Sequence, residues 1–190
     1  MASICSWSFQ CAGVFGGVSA FTDESGETEY FLKIDFYGGR VTISGIGEKN
    51  YQMFREKPLG LECRISGKAL FNGGNPKFSP EKFEFADMKG FKPLEDSDLM
   101  EGMVIQGRGE LSYKKKSERE DGSFWHGVTV KAVGGYVRGV QVAPEAFERL
   151  PVGDCIIYGQ VFSEVSTVFA DGRRRQDVRN TILIKGAKSV

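Results

Sequence analysis

Between Phe124 and Val133 apolar residues fall on every second position, with Val128, Val130 and Ala132 on one face. That period of two predicts a half-buried strand. Ahead of it, Met103 to Tyr113 predicts another strand, with Gly107 and Gly109 marking a bulge or sharp coil. Between these two, Lys114 to Ser123 predicts a polar loop ending in the turn signal Asp121-Gly122. Gly134-Gly135 then predicts a hairpin turn into a third strand, Tyr136 to Val142. The spacing changes at Pro144-Glu145-Ala146-Phe147-Glu148-Arg149-Leu150, where a proline stands at a first helical position and Phe147 and Leu150 are three apart. A short helix follows from that spacing. Asp154 to Phe162 predicts a fourth strand, a long polar loop comes next, and Thr181 to Lys185 predicts a fifth.

The same order occurs earlier in the chain. Strands are predicted at Phe9 to Ala20, Glu29 to Tyr37 and Arg40 to Ser44, a helix near Tyr51 to Phe54, then strands at Leu61 to Phe71 and Phe83 to Met88. The duplication is visible residue by residue. One shift sets Gln10 over Gln106, Gly13 over Gly109, Gly26 over Gly122 and Gly38-Gly39 over Gly134-Gly135. Tyr51 and Phe54 then meet Phe147 and Leu150. After a short gap Pro58, Gly60, Cys63 and Gly67 meet Pro151, Gly153, Cys155 and Gly159. The join falls around Lys92-Pro93-Leu94-Glu95-Asp96-Ser97-Asp98, polar and proline-bearing as linkers are. The expected organisation is a first module over 1–92, a linker over 93–100 and a second module over 101–190.

Composition narrows the function. The chain has 190 residues, enough for two small modules, with 25 basic and 25 acidic residues and no net charge. A binder that relied on bulk charge to find nucleic acid would be basic, so only a local groove fits. The charges divide unevenly, with 11 basic and 13 acidic residues over 1–97 and 14 and 12 over 98–190. Cys5, Cys11, Cys63 and Cys155 form no CxxC pair, and His126 is the one histidine in the sequence. No metal site and no cofactor are expected from that set, and reduced thiols in a cytoplasmic protein are. The apolar start, Met1 to Ala20, lacks a positive region and is broken by Gln10 and glycines, so it is read as part of the first module rather than a leader. No run is apolar and long enough to span a bilayer.

Three strands, a short helix and two strands is the element order of the OB-fold, a small five-stranded barrel. The expected fold class is all-β, with two tandem five-stranded OB barrels, each with a short helix between its third and fourth strands. At this point the second module resembles the single-stranded DNA-binding protein family. The features that carry the resemblance are Gly107 and Gly109 in the first strand and Phe124, Trp125, Val128 and Val130 in the second. Val152-Gly153, Tyr158-Gly159-Gln160-Val161, Asp171-Gly172-Arg173 and the closing Ile182-Leu183-Ile184 complete the pattern. The resemblance implies binding and protection of single-stranded DNA in replication, recombination or repair. It also implies assembly to four barrels, hence a homodimer of this two-module chain. Bacterial members carry a flexible tail with an acidic end; this sequence stops at Lys185-Gly186-Ala187-Lys188-Ser189-Val190, so no acidic recruitment tail is expected.

No catalytic constellation emerges: there is no P-loop, no HExxH and no strand–GxSxG–helix element, and any triad would need His126, which lies on the apolar side of its strand. A binding protein, not an enzyme, is expected. Single-strand binders combine aromatic platforms with a positive groove. In the first module Phe31, Lys33 and Tyr37 alternate away from Tyr30, Leu32, Ile34 and Phe36, with Arg40 on the next strand. In the second, Trp125 and Lys131 fall outward on strand two and Tyr136 and Arg138 on strand three. Trp7 is placed ahead of the first strand. Two basic runs, Lys114-Lys115-Lys116 and Arg173-Arg174-Arg175 with Arg179, are expected in the loops that flank the groove of this fold. RNA is an alternative substrate. A protein-interaction or structural OB module, with the aromatics as interface, is the competing reading.

Overall fold

The structure, a computed structural model, describes residues 5–36, 39–72, 75–92, 102–132, 135–170 and 173–190. Its elements are β1 (Cys5–Thr22), β2 (Thr28–Phe36), β3 (Gly39–Ser44), α1 (Glu48–Phe54), β4 (Glu62–Asn72) and β5 (Asn75–Phe85), then β6 (Gly102–Glu118), β7 (Phe124–Ala132), β8 (Gly135–Val142), α2 (Pro144–Phe147), β9 (Gly153–Ala170) and β10 (Arg173–Ser189). The order β-β-β-α-β-β thus occurs twice. Segment 93–100, expected as a linker, lies outside the described residues, as do Tyr37, Gly38, Gly134 and Asp171-Gly172.

The long first strand of each half serves two partners within that half. β1 pairs with β4 over Cys5 to Val14 and with β2 over Val14 to Thr22, with a register shift between Phe15 and Val18. β6 does the same with β9 and β7, shifting between Leu111 and Tyr113. A bulge bends such a strand from one sheet into the next. Glycine permits the close approach at each bend: a Cβ on Gly13 would run into Ile34 and the Asp35 carbonyl, and one on Gly109 into Val130 and the Lys131 carbonyl.

The spacing of 96 read from the sequence recurs in the backbone. Asp23 N–H donates to the Glu27 carbonyl at 2.9 Å, and Arg119 N–H to the Ser123 carbonyl at 2.8 Å. Gly26 and Gly122 both hold left-handed φ, +85° and +78°. Tyr30 meets Tyr51 at 5.0 Å between ring centroids, and His126 meets Phe147 at 4.7 Å. The halves join through β1 and β6, which pair antiparallel with Phe9 against Ile105, its own counterpart, and Ser8 and Gln10 against Gln106 and Val104. That register is the one a twofold axis through Phe9 and Ile105 would produce. One continuous apolar cluster runs through both halves, including Phe9, Phe15, Leu32, Ile34, Ile65 and Phe85, and Ile105, Leu111, Val128, Val130 and Ile157.

The halves close differently. In the second, β6–β7–β8–β10–β9–β6 is an unbroken ring, completed by a short parallel ladder of Leu183 against Gln141 and Ile184 against Val142. In the first the order is β3-β2-β1-β4-β5, and no ladder joins β3 to β5 among the described residues. Beyond the ring, β9 and β10 continue as a two-stranded arm, paired from Phe162/Thr181 to Ala170/Arg173. At its base Ser163 accepts a hydrogen bond from Thr42 N–H at 3.2 Å, so the arm meets β3 of the first half.

Several expectations are corrected here. Lys114 to Glu118 is not loop but strand, held in the ladder with β7 down to Glu118 against Phe124. A charged run stays extended when one sheet face is wet. Arg173, Arg174 and Arg175 also lie in strand, opposite Ala170, Phe169 and Val168. The β-branched residues between 165 and 178, including the cross-strand pair Val165/Val178, favour a ladder over an open loop. Trp7 is inside β1 and 3% exposed. The fifth strand of the first half is Asn75–Phe85, earlier in the chain than Phe83 to Met88.

Candidate nucleic-acid interface

Alternation along β7 turns His126, Val128 and Val130 inward and leaves Trp125, Gly127, Thr129 and Lys131 on the outer face. Directly opposite on β6 stand Ser117, Lys115 and Tyr113, paired with Trp125, Gly127 and Thr129. On β8, Tyr136 pairs with Lys131 and Gln141 with Gly127. A Cβ on Gly127 would fall inside the Trp125 indole, so the ring lies along the strand over bare backbone. Tyr113 and Tyr136 are 59% and 47% exposed, and the Arg138 guanidinium sits 5.6 Å from the Tyr136 ring centroid. Lys131 lies 3.6 Å from Glu110 in a solvent-facing ion pair. One sheet face therefore carries Trp125, Tyr113 and Tyr136 with Lys115, Lys131 and Arg138 among them.

The sequence pattern misses Tyr113 because the basic composition from Lys114 onward reads as loop. Carrying the strand through the basic run would have put Tyr113, Lys115 and Trp125 on one face. The same alternation splits that run. Lys115 is exposed beside the aromatics. Lys114 turns the other way, with Nζ 4.9 Å from the Phe147 ring centroid and 3.5 Å from the Leu150 carbonyl. Lys116 lies 4.4 Å from the Phe124 ring centroid. Lys114 thus sits at the α2 end, away from the outer face.

At one end of the face the sheet opens. The β8–β10 ladder is two residues long, and on the N-terminal side of it the strands part into a groove of about 260 Å3. Trp125, Gly139, Val140 and Gln141 line one side, and Arg179, Asn180, Thr181 and Ile182 the other. The structure thereby brings together Trp125 and Arg179, which are far apart in sequence. The backbone places Arg173, Arg174 and Arg175 farther out along the same strand, in the arm.

The matching face of the first half is different. Glu29 stands where the repeat puts Trp125, Phe31 where it puts Gly127, and Ser19 where it puts Lys115. Phe31 is 8% exposed, so it is covered and not an accessible platform, contrary to the outward placement expected for it. Lys33 is half-buried. Arg40 donates to both oxygens of Asp35, at 2.9 Å for its Nη2. That hydrogen bond holds the Asp35 carboxyl below its ordinary range and raises the Arg40 guanidinium. Thr42 is buried, and its N–H goes to Ser163 of the arm. Tyr37 lies outside the described residues.

The arrangement in the second half can stack flat rings and attract anions. Among the described residues no group of three or more His, Cys, Asp or Glu side chains is placed to hold a metal ion. Cys11, Cys63 and Cys155 are free and buried, and burial pushes the Cys63 thiol up to about 12. No helix among the described residues is long and apolar enough to cross a membrane.

No family model matches the chain, and no curated protein does. Among solved structures it is similar to a deletion mutant of the single-stranded DNA binding protein from Thermus aquaticus, at TM-score 0.50 and 11% identity, covering 100% of this chain and 96% of that one. The wild-type form of that protein also matches, at TM-score 0.48 and 11% identity over 100% and 94% of the two chains. The fold is all-β and of the OB type found in that single-stranded DNA binding protein.

Proposed function

We propose that this chain is a single-stranded DNA-binding protein, a binding protein and not an enzyme, acting in replication, recombination or repair. The observation that carries this reading is the outer face of β6, β7 and β8, where Trp125, Tyr113 and Tyr136 are interleaved with Lys115, Lys131 and Arg138. Stacking on such rings contributes about 1–3 kcal/mol per base and tolerates any sequence, while the cations meet the phosphates. The fold shared with the Thermus aquaticus protein supports the same reading.

In this reading the chain is two OB modules in tandem, 1–92 and 101–190, with 93–100 as linker. The repeated element order and the 9/105 pairing support it. The second module makes most of the contacts. Arg173, Arg174, Arg175 and Arg179 extend the phosphate path along β10, and Arg40 and Lys33 contribute little. The chain works in the cytoplasm as a homodimer. The β9 outer face supports the dimer, with Ile156, Tyr158 and Phe162 exposed by 37%, 46% and 44%. A second copy seated there would cover that apolar stripe.

A gel shift with a single-stranded DNA oligonucleotide, its duplex and the RNA of the same sequence tests the function. Retention of the single strand in preference to duplex is expected; equal or absent retention overturns it. Light scattering that shows a monomer across concentrations overturns the dimer.

A further inference from the structure

Both tryptophans of the chain lie on a glycine, and they differ in what covers the other side of the ring. A Cβ on Gly107 would fall inside the Trp7 ring, which is 3% exposed and packs edge-on against Phe71 at 5.1 Å between centroids. That contact is interior packing. Trp125 is seated in the same way on Gly127, two residues along its own strand. Its ring stays half-buried and lines the groove between β8 and β10. The side turned away from Gly127 is therefore the side that solvent reaches.

The seat is built by what flanks it. Gly127 pairs with Lys115 on β6 and with Gln141 on β8. Residues paired across a ladder share a sheet face, so two long side chains border one position that has no side chain. Gly127 is buried although it stands on the outer face, and the indole is the group that covers it. Glycine inside a strand weakens it and marks a place where another group approaches closely. The atoms that a Cβ would meet are Cη2, Cζ2 and Cζ3, the far edge of the six-membered ring. A phenyl ring at position 125 would be too short to reach the seat. In the first half Phe31 stands at the glycine's place and Glu29 at the tryptophan's, so seat and occupant change together.

Resting on the single-strand reading above, we propose that Gly127 is a positioning residue that lays the Trp125 indole flat on β7, so that one nucleobase stacks on its open side and none on the other. A ring standing off the sheet could lie between two bases. A ring lying on bare backbone has one usable side, and it gives up little rotamer freedom when the base arrives.

Anisotropy of a fluorescein-labelled 20-mer oligothymidylate at fixed salt tests this through a double-mutant cycle. Gly127→Ala is expected to weaken binding about fivefold, the smaller end of what one stacked base contributes. In the Trp125→Ala background the same change should alter affinity by less than about twofold, because no ring remains to be displaced. Iodide quenching of tryptophan emission should rise in Gly127→Ala as the ring leaves the sheet, against a constant background from buried Trp7. Trp125→Phe makes the test independent of how well Gly127→Ala folds: its shorter ring misses the seat and should bind as weakly as Trp125→Ala. A shifted thermal melt with unchanged affinity and unchanged quenching in Gly127→Ala would mean packing alone, as at Trp7, and overturns the positioning role. An equal loss in both backgrounds, or wild-type affinity in Trp125→Phe, overturns it too. Each of these leaves the single-strand reading standing. Failure of the wild type to bind the oligonucleotide overturns the single-strand reading itself.

Discussion

The two halves of this chain follow one path and present opposite surfaces. Inward positions match in character across the repeat: Phe15 and Leu111, Leu32 and Val128, Ile34 and Val130, Cys63 and Cys155 are all 2% exposed or less. Outward positions do not match. Trp125, Gly127, Lys115 and Arg138 in the second half stand where the first has Glu29, Phe31, Ser19 and Thr42. The first half has its Arg40 tied to Asp35 and its β3 edge capped by Ser163. A barrel specifies its fold through the inward set, so the outward set is free to differ between the halves.

The largest expected effect tests whether the halves share stability. Phe54→Ala in the first core should cost about 3–5 kcal/mol and Leu150→Ala at the matching place about 2–5 kcal/mol. Because one apolar cluster and the β1–β6 ladder span both halves, each should shift a single urea transition. Two separated transitions would mean that the halves unfold independently.

Next comes the proposed binding face. Trp125→Ala should weaken single-stranded DNA binding by about 1–3 kcal/mol if one base stacks there. Glu29→Ala at the matching place should change it little. Fluorescence anisotropy at fixed salt measures both, and equal losses would erase the functional difference between the halves.

The arm is third. Neighbours on a strand alternate in direction, so about two of Arg173, Arg174 and Arg175 should reach phosphates. Replacing all three with alanine should flatten the log–log salt slope by about 1.4, at roughly 0.7 per contact on a single strand. Parallel slopes for wild type and variant would show that these arginines only solvate the arm.

The smallest effect belongs to the Arg40–Asp35 pair. Both side chains are substantially solvent-exposed, so the pair contributes under about 1 kcal/mol. Hydrogen bonding to Arg40 depresses the folded-state Asp35 pKa, so its contribution is fully present above the unfolded value of about 4. It is lost as pH falls through the lower folded value. Arg40→Ala should remove that part of the acid dependence in thermal melts and leave DNA affinity nearly unchanged. A large fall in affinity would return Arg40 to the binding face.

Local patterning made much of this molecule legible in advance. Alternation at Val128, Val130 and Ala132, the Asp121-Gly122 turn and the proline-led helix at Pro144 are short-range signals, and each marks an element near where it occurs. The repeat showed through Gly13 and Gly109 because a close backbone approach excludes every larger side chain. Trp125 and Lys131 could be placed on one outer face from period two alone.

What tertiary structure decided was everything that depends on a partner strand. Lys114-Lys115-Lys116 reads as loop by composition, yet pairing with His126 to Val128 keeps it in a ladder, and that added length creates the Tyr113–Lys115–Trp125 face. Phe31 alternates outward by sequence, and its burial could not be read from its neighbours in the chain. The meeting of Trp125 with Arg179, and of Thr42 with Ser163 and Asn180, depends on where β8 and β10 part and on where the arm lies. Side-chain period is a property of one strand. Which face is wet is a property of the whole fold, because burial depends on residues far away in sequence.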